Sequence, residues 1–189
     1  MKKLVKIFVV AAFAFGFGVT AQAQDATPPV VTNVTNTNIS ASAEVMAALV
    51  LVKDRDVNFG NISATTPGDI FLDPQEVGSS NIGTAGDAGK FTLTAATNQS
   101  VRFGWPLSID LVNDEDADEK LVMTLAVSGA ATDTQSSTID LTLNAGGAVD
   151  VTTSAEGNYF LYVGGTIPQI TGKATGTYSG TANFTVEYN

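Results

Sequence analysis

The sequence predicts an all-β protein, an antiparallel sandwich or barrel. Three observations carry that expectation. Apolar and polar residues alternate with a period of two in run after run, and clusters of Gly, Asp, Asn and Ser separate the runs. Beyond Val52 no stretch shows the three-to-four residue spacing of a long amphipathic helix. Hydrophobic residues make up 44% and charged residues 15%, a balance that favours a packed core over disorder.

The first segment, Met1–Ala23, reads as a secretory signal peptide. Lys2, Lys3 and Lys6 precede an apolar run, Ile7–Val19, and Ala21-Gln22-Ala23 supplies a small-x-small cleavage signal. The run is shorter than the roughly 18 apolar residues that span a bilayer, so no stable membrane anchor is expected. Next, Gln24–Ser40 reads as an extended arm or linker: Pro28-Pro29, then Val, Thr and Asn, with Asp25 as its one charge. Residues 41–189 form the expected β-sandwich domain.

Within that domain, Leu49–Val52 leads into charged Lys53–Asp56 and then Val57-Asn58-Phe59-Gly60-Asn61-Ile62, which predicts a first strand, a bend and a second strand. Gly89–Ala95 places Phe91, Leu93 and Ala95 on one face. Val101–Val112 continues through Val101, Phe103, Trp105, Leu107, Ile109 and Leu111, and Pro106 marks an edge position or a bulge. Leu121–Val127 alternates cleanly. Further strands are expected at Thr138–Leu143, Val149–Thr152, Tyr159–Val163 and Thr181–Tyr188, with turns at Gly83–Gly89, Asn113–Glu119, Ser128–Ser137, Ala145–Gly147 and Gly164-Gly165. The glycines keep no fixed period, which argues against a solenoid.

Composition limits the chemistry. The chain has no cysteine and no histidine, which removes disulfides, thiolate nucleophiles, Ser-His-Asp triads and zinc sites built on those ligands. Without the first 23 residues, six basic side chains face nineteen acidic ones, a formal charge of −13. Such a surface repels nucleic acid and anionic lipid, so neither is an expected partner. Asp114, Asp116 and Asp118 have the one-three-five spacing of a calcium loop. Glu119 stands where that loop needs glycine, and Leu125 where it needs glutamate. They are a weak metal candidate beside the simpler reading of a solvated hairpin tip. No carboxylate pair is placed over a cleft by the sequence, no lysine has a Ser-x-x-Lys context, and Gly83–Gly89 lacks the ending of a phosphate loop. No enzyme activity and no cofactor are expected. Phe103, Trp105, Tyr159, Phe160 and Tyr162 could form a sugar platform, but alternation favours core roles.

The C-terminus is the most specific feature. Ala182, Phe184, Val186 and Tyr188 fall on one apolar face of a final strand, opposite Asn183, Thr185 and Glu187. A penultimate Tyr188 with Gly176 fourteenth from the end is similar to the C-terminal signature of chaperone–usher pilins. Phe59-Gly60, the Gly89-Lys-Phe-Thr-Leu strand, Tyr162-Val-Gly-Gly and the ending Tyr178-x-Gly180…Val186-x-Tyr188-Asn189 resemble an uncharacterised family of secreted bacterial pilin-like domains.

That resemblance implies an immunoglobulin-like sandwich lacking its last strand. The strand would come from a periplasmic chaperone and then from the arm of a like subunit, docking in a groove beside Tyr178, Phe184, Val186 and Tyr188. The donor arm would carry Val30, Val31, Val34 and Ile39. Val30 and Val34 share one phase of that arm, and Val31 and Ile39 the other. The best-known pilins carry an intradomain disulfide, which this chain cannot form. The expectation is therefore an exported, non-enzymatic structural subunit of a surface fibre, located in the periplasm, on the cell surface or outside the cell. The alternatives are a self-complete secreted binding module for glycan or protein, a stand-alone coat protein and a carboxylate-pair hydrolase.

Overall fold

A computed structural model describes residues 39–76, 79 and 86–189. The signal-peptide segment and the arm through residue 38, with Val30, Val31 and Val34, lie outside the described residues, as do residues 83–85 of the Gly83–Gly89 turn. Every strand belongs to one unit, Ala43–Asn189.

Among the described residues, eleven strands form two antiparallel sheets. In chain order they are β1 (Val50–Arg55), β2 (Ile70–Leu72), β3 (Gly89–Thr94), β4 (Ser100–Gly104), β5 (Ser108–Asn113), β6 (Lys120–Ala130), β7 (Ile139–Asp140), β8 (Ala148–Thr152), β9 (Asn158–Ile167), β10 (Tyr178–Ser179) and β11 (Thr185–Tyr188). The large sheet runs β1-β3-β9-β6-β5-β10, with β2 continuing along β9 and β7 along β6; the small sheet runs β11-β4-β8. Inward side chains of both sheets meet in one cluster: Leu93, Val101, Phe103, Trp105, Val127, Tyr159, Leu161 and Val163, with Phe184, Val186 and Tyr188 against it. Apolar faces of two antiparallel sheets sharing a core make an immunoglobulin-like β-sandwich, the class the sequence predicts.

A second cluster, built on Ile70, Leu111, Leu121, Met123, Ile167 and Ile170, draws no side chain from the small sheet. Val57, Phe59 and Ile62 cover it instead. This explains the first departure from expectation. Val57–Ile62 alternates because Val57 and Phe59 turn inward, yet it forms no strand; its one pairing is the bridge Asn58–Asp87. It is an irregular cover over the end of the large sheet.

The other departures share a cause, that period two does not reveal where a chain changes partners. Val101–Val112 is two strands in different sheets: β4 pairs with β8 and β11, and β5 with β6. Pro106 lies in the crossover between them, where no ladder hydrogen bond is needed. Ser128–Ala130 belongs to β6, not to a turn, and pairs with Phe160–Tyr162. Gly164-Gly165 also lies inside a strand, β9. A Cβ at Gly164 would fall on the carbonyl oxygen of Leu72, and one at Gly165 on that of Thr124. These glycines admit neighbouring backbones on both sides of β9 instead of turning the chain. Of Thr138–Leu143, only Ile139–Asp140 is strand. Ile70–Leu72, three residues long, falls outside every predicted run.

Candidate functional site

The final segment alternates as expected. Ala182, Phe184, Val186 and Tyr188 are half-buried, and Thr181, Asn183, Thr185 and Glu187 are exposed. Its pairing is shorter than expected, since only Thr185–Tyr188 joins β4. Tyr178 and Ser179 pair instead with Asn113 and Val112 of β5, in the other sheet. Gly180–Phe184 thus crosses from one sheet to the other. A Cβ at Gly180 would fall on the carbonyl oxygen of Asp110, which accounts for a glycine at the start of that crossing.

Among the described residues, β11 has a single neighbour. The Asn189 amide donates to the Ser100 carbonyl, so Asn189 and Ser100 form a hydrogen-bonded pair. By antiparallel alternation Glu187 and Thr185 also bond toward β4, and the N–H and C=O groups of Val186 and Tyr188 point away from it. The open edge therefore carries the backbone groups of the residues whose side chains face the core.

Opposite this edge lies β1, the terminal strand of the large sheet. The two edges meet at one end through Tyr188. Its hydroxyl accepts from the Ala96 amide at 2.7 Å and donates to the Ala47 carbonyl at 2.9 Å. At the other end, Phe184 stacks at 5.9 Å on Trp105 and lies 4.7 Å from Phe91. There the edges part around a cavity of about 320 Å³, floored by Phe91, Ile109, Met123 and Leu125 and walled by Lys53, Val57, Ala182 and Phe184. The resulting gap has an apolar floor and, along β11, an unpaired backbone edge. It can take an extended segment.

The edge of β1 is less receptive. In β1 a register shift falls between Lys53 and Arg55, and Lys53, Asp54 and Arg55 are all exposed; charges and irregular register discourage strand addition. Of the predicted groove residues, Phe184, Val186 and Tyr188 line one strand. Tyr178 belongs to the large sheet, where it lines the same cavity as Phe184, packs on the second cluster and donates its hydroxyl to the Ala174 carbonyl at 2.9 Å. Ile39 is described and exposed.

Asp114, Asp116 and Asp118 occupy the β5–β6 hairpin. Asp114 Oδ1 accepts from the Thr177 amide at 3.0 Å, and Asp116 Oδ1 from the Asp118 amide at 3.0 Å. Among the described residues no three acidic side chains converge as a metal cage. The run is a hairpin tip whose carboxylates accept from backbone amides. Phe103, Trp105 and Tyr159 are core, while Phe160 and Tyr162 turn to the opposite face of the large sheet.

On that outer face lies a cluster with no sequence signal. Lys90 Nζ sits 2.7 Å from Asp133 Oδ1, and the Tyr162 hydroxyl donates to the same oxygen at 2.6 Å. The ammonium also lies 5.4 Å from the Phe160 ring centre and 5.8 Å from that of Tyr162. The Lys90 hydrogen bond and then that of Tyr162 hold the Asp133 carboxyl below its ordinary range, and burial, aided by Asp133, pushes the Tyr162 phenol up. These groups form a clamp that fastens the β6–β7 loop onto the sheet.

The family model described as Domain of unknown function (DUF4402) matches residues 49–188, and the chain belongs to that family. No curated protein matches the chain.

Proposed function

We propose that this member of the family is an exported structural subunit that assembles by β-strand addition at the open edge of β11. The observation that carries the reading is the outward-facing backbone of Val186 and Tyr188 beside an apolar-floored gap. A strand laid there would gain ladder hydrogen bonds along its backbone and seat alternate side chains over Phe91, Phe184 and Leu125. The apolar N-terminal run and cleavage signal support export, and the resemblance of the C-terminal residues to pilins supports the same mode of assembly. A like subunit or a periplasmic chaperone would supply the strand. Head-to-tail repetition of such a contact gives an open filament.

Removal of the N-terminal strand source tests this. A chain deleted for Gln24–Ala47 should remain monomeric in sedimentation velocity under conditions where the intact chain assembles. Assembly of the deleted chain to the same extent would overturn the proposal.

A further inference from the structure

The second cluster carries no side chain of the small sheet. Two irregular segments, residues 57–64 and 168–177, stand over it and leave between them a cavity of about 630 Å³. Sites for small molecules have this size, about 300–1,000 Å³. The lining is graded by polarity. Leu121, Ile167 and Ile170, all buried, form the floor, and half-buried Phe59, Ile62 and Tyr178 form the walls. Exposed Asn58, Asn61, Thr175 and Thr177 bring amide and hydroxyl groups to the rim.

Hydrogen bonds hold both walls in place. On one side the Asn58 amide donates to the Asp87 carbonyl at 2.9 Å, and the Asp87 amide donates back at 2.7 Å. Asn58 Oδ1 also accepts from the Gly60 amide at 2.8 Å, which fixes the turn that follows. On the other side Asn113, buried at the end of β5, donates its side-chain amide to the Thr175 carbonyl at 3.3 Å. The Asp114 amide donates to the Thr177 carbonyl at 2.9 Å, and Asp114 Oδ1 accepts from the Thr177 amide at 3.0 Å. An apolar void with free walls closes, because each unfilled contact forfeits dispersion energy. These walls are fastened from outside, so the cavity is preformed and its apolar floor is left for a guest.

We infer that this cavity binds a neutral amphiphile, with its apolar body on Leu121, Ile167 and Ile170 and a hydroxyl- or amide-bearing head at the rim. Electrostatics select the neutral head. Lys173 is the one charged residue among the described lining, and its ammonium already lies 3.2 Å from Glu119 Oε2. A carboxylate head would share that ammonium while facing Glu119, Asp114 and a chain whose formal charge is −13 without its first 23 residues. An ammonium head would meet Lys173 itself. Either ion would also leave water with no partner of its own. A hydroxyl or carboxamide loses less on leaving water, and the threonines and asparagines of the rim can both donate to it and accept from it. The site stands apart from the assembly reading, since β11 supplies none of its lining.

Octyl glucoside, octanoate and octylamine share one apolar chain and differ in head charge, and glucose supplies a head alone. Each is titrated into the full-length chain by isothermal titration calorimetry, below any micelle concentration. The expected result is saturable binding of one octyl glucoside per chain, at least tenfold weaker binding of octanoate and octylamine, and no saturation with glucose. Ala174 is exposed and lines the cavity, so Ala174→Trp narrows the mouth without touching the floor. With its fold confirmed by circular dichroism, that variant should bind octyl glucoside at least tenfold more weakly. Absence of saturable octyl glucoside binding would overturn the proposal. Affinity for either charged probe within tenfold of octyl glucoside, saturation by glucose alone, or undiminished binding in folded Ala174→Trp would overturn it as well.

Discussion

The hydroxyl of Tyr188 donates to the backbone carbonyl of Ala47 across 2.9 Å, tying the last strand to the residues that lead into the first. The same oxygen accepts the Ala96 amide at 2.7 Å. One phenol thus holds three segments at one end of the gap, and places the unpaired edge of β11 against the edge of the large sheet. Tyr188→Phe should cost about 1–2 kcal/mol, the usual penalty for leaving a backbone amide without its partner. Urea denaturation would measure it. A variant as stable as the parent would show that water replaces the hydroxyl at no cost.

Phe184 anchors the opposite end through Phe91 and Trp105. Phe184→Ala removes both ring contacts and widens the cavity. Its ring is only half-buried, so the expected loss is about 2–3 kcal/mol, below that of a fully enclosed phenylalanine. Phe184→Leu should recover roughly half of it in the same denaturation measurement.

The clamp on the outer face makes stability fall in acid. Asp133 ionises more readily in the folded chain because Lys90 and then Tyr162 bond to its carboxylate. Its contribution is therefore present above the ordinary carboxylate range and is lost as pH falls through the lowered folded value. The side chain is 48% exposed, so that contribution is at most about 1 kcal/mol. In Asp133→Asn the deficit against the parent should be largest near pH 7 and vanish near pH 2. A deficit independent of pH would assign the role to packing.

Tyr159 sets an alkaline limit. Burial raises its phenol from 10.0 to about 12, so the folded chain holds this proton more tightly than the unfolded one. The associated stability is complete below pH 10 and declines between pH 10 and 12, by on the order of 2 kcal/mol. Tyr159→Phe should flatten that decline in thermal melts. An unchanged alkaline slope would shift the effect to other groups, Tyr162 first among them.

Alternation made the fold class legible, since inward faces such as Leu93, Phe103, Leu161 and Val186 repeat at every second residue. It could not show which sheet a strand joins. β4 and β5 share one continuous pattern across Pro106, although β4 buries Phe103 in the core between the sheets, β5 buries Leu111 in the second cluster, and Leu107 between them is exposed. The glycines at 164 and 165 read as a turn because sequence alone does not reveal that Leu72 and Thr124 bring their carbonyls against them. Of the candidate site, the apolar face of Phe184, Val186 and Tyr188 was visible. The open edge was not, since it depends on β11 meeting β4 and no other described strand. Lys90, Asp133 and Tyr162 carried no signal because a loop distant in sequence brings the aspartate to the sheet.

Hydrogen exchange at the amides of Val186 and Tyr188 tests the central claim most directly. Both N–H groups point away from β4, so they should exchange rapidly in the monomer and slow by at least tenfold in assembled protein, while Glu187, bonded to β4, changes little. Equal protection of Val186 and Tyr188 in monomer and assembly would contradict strand addition at this edge.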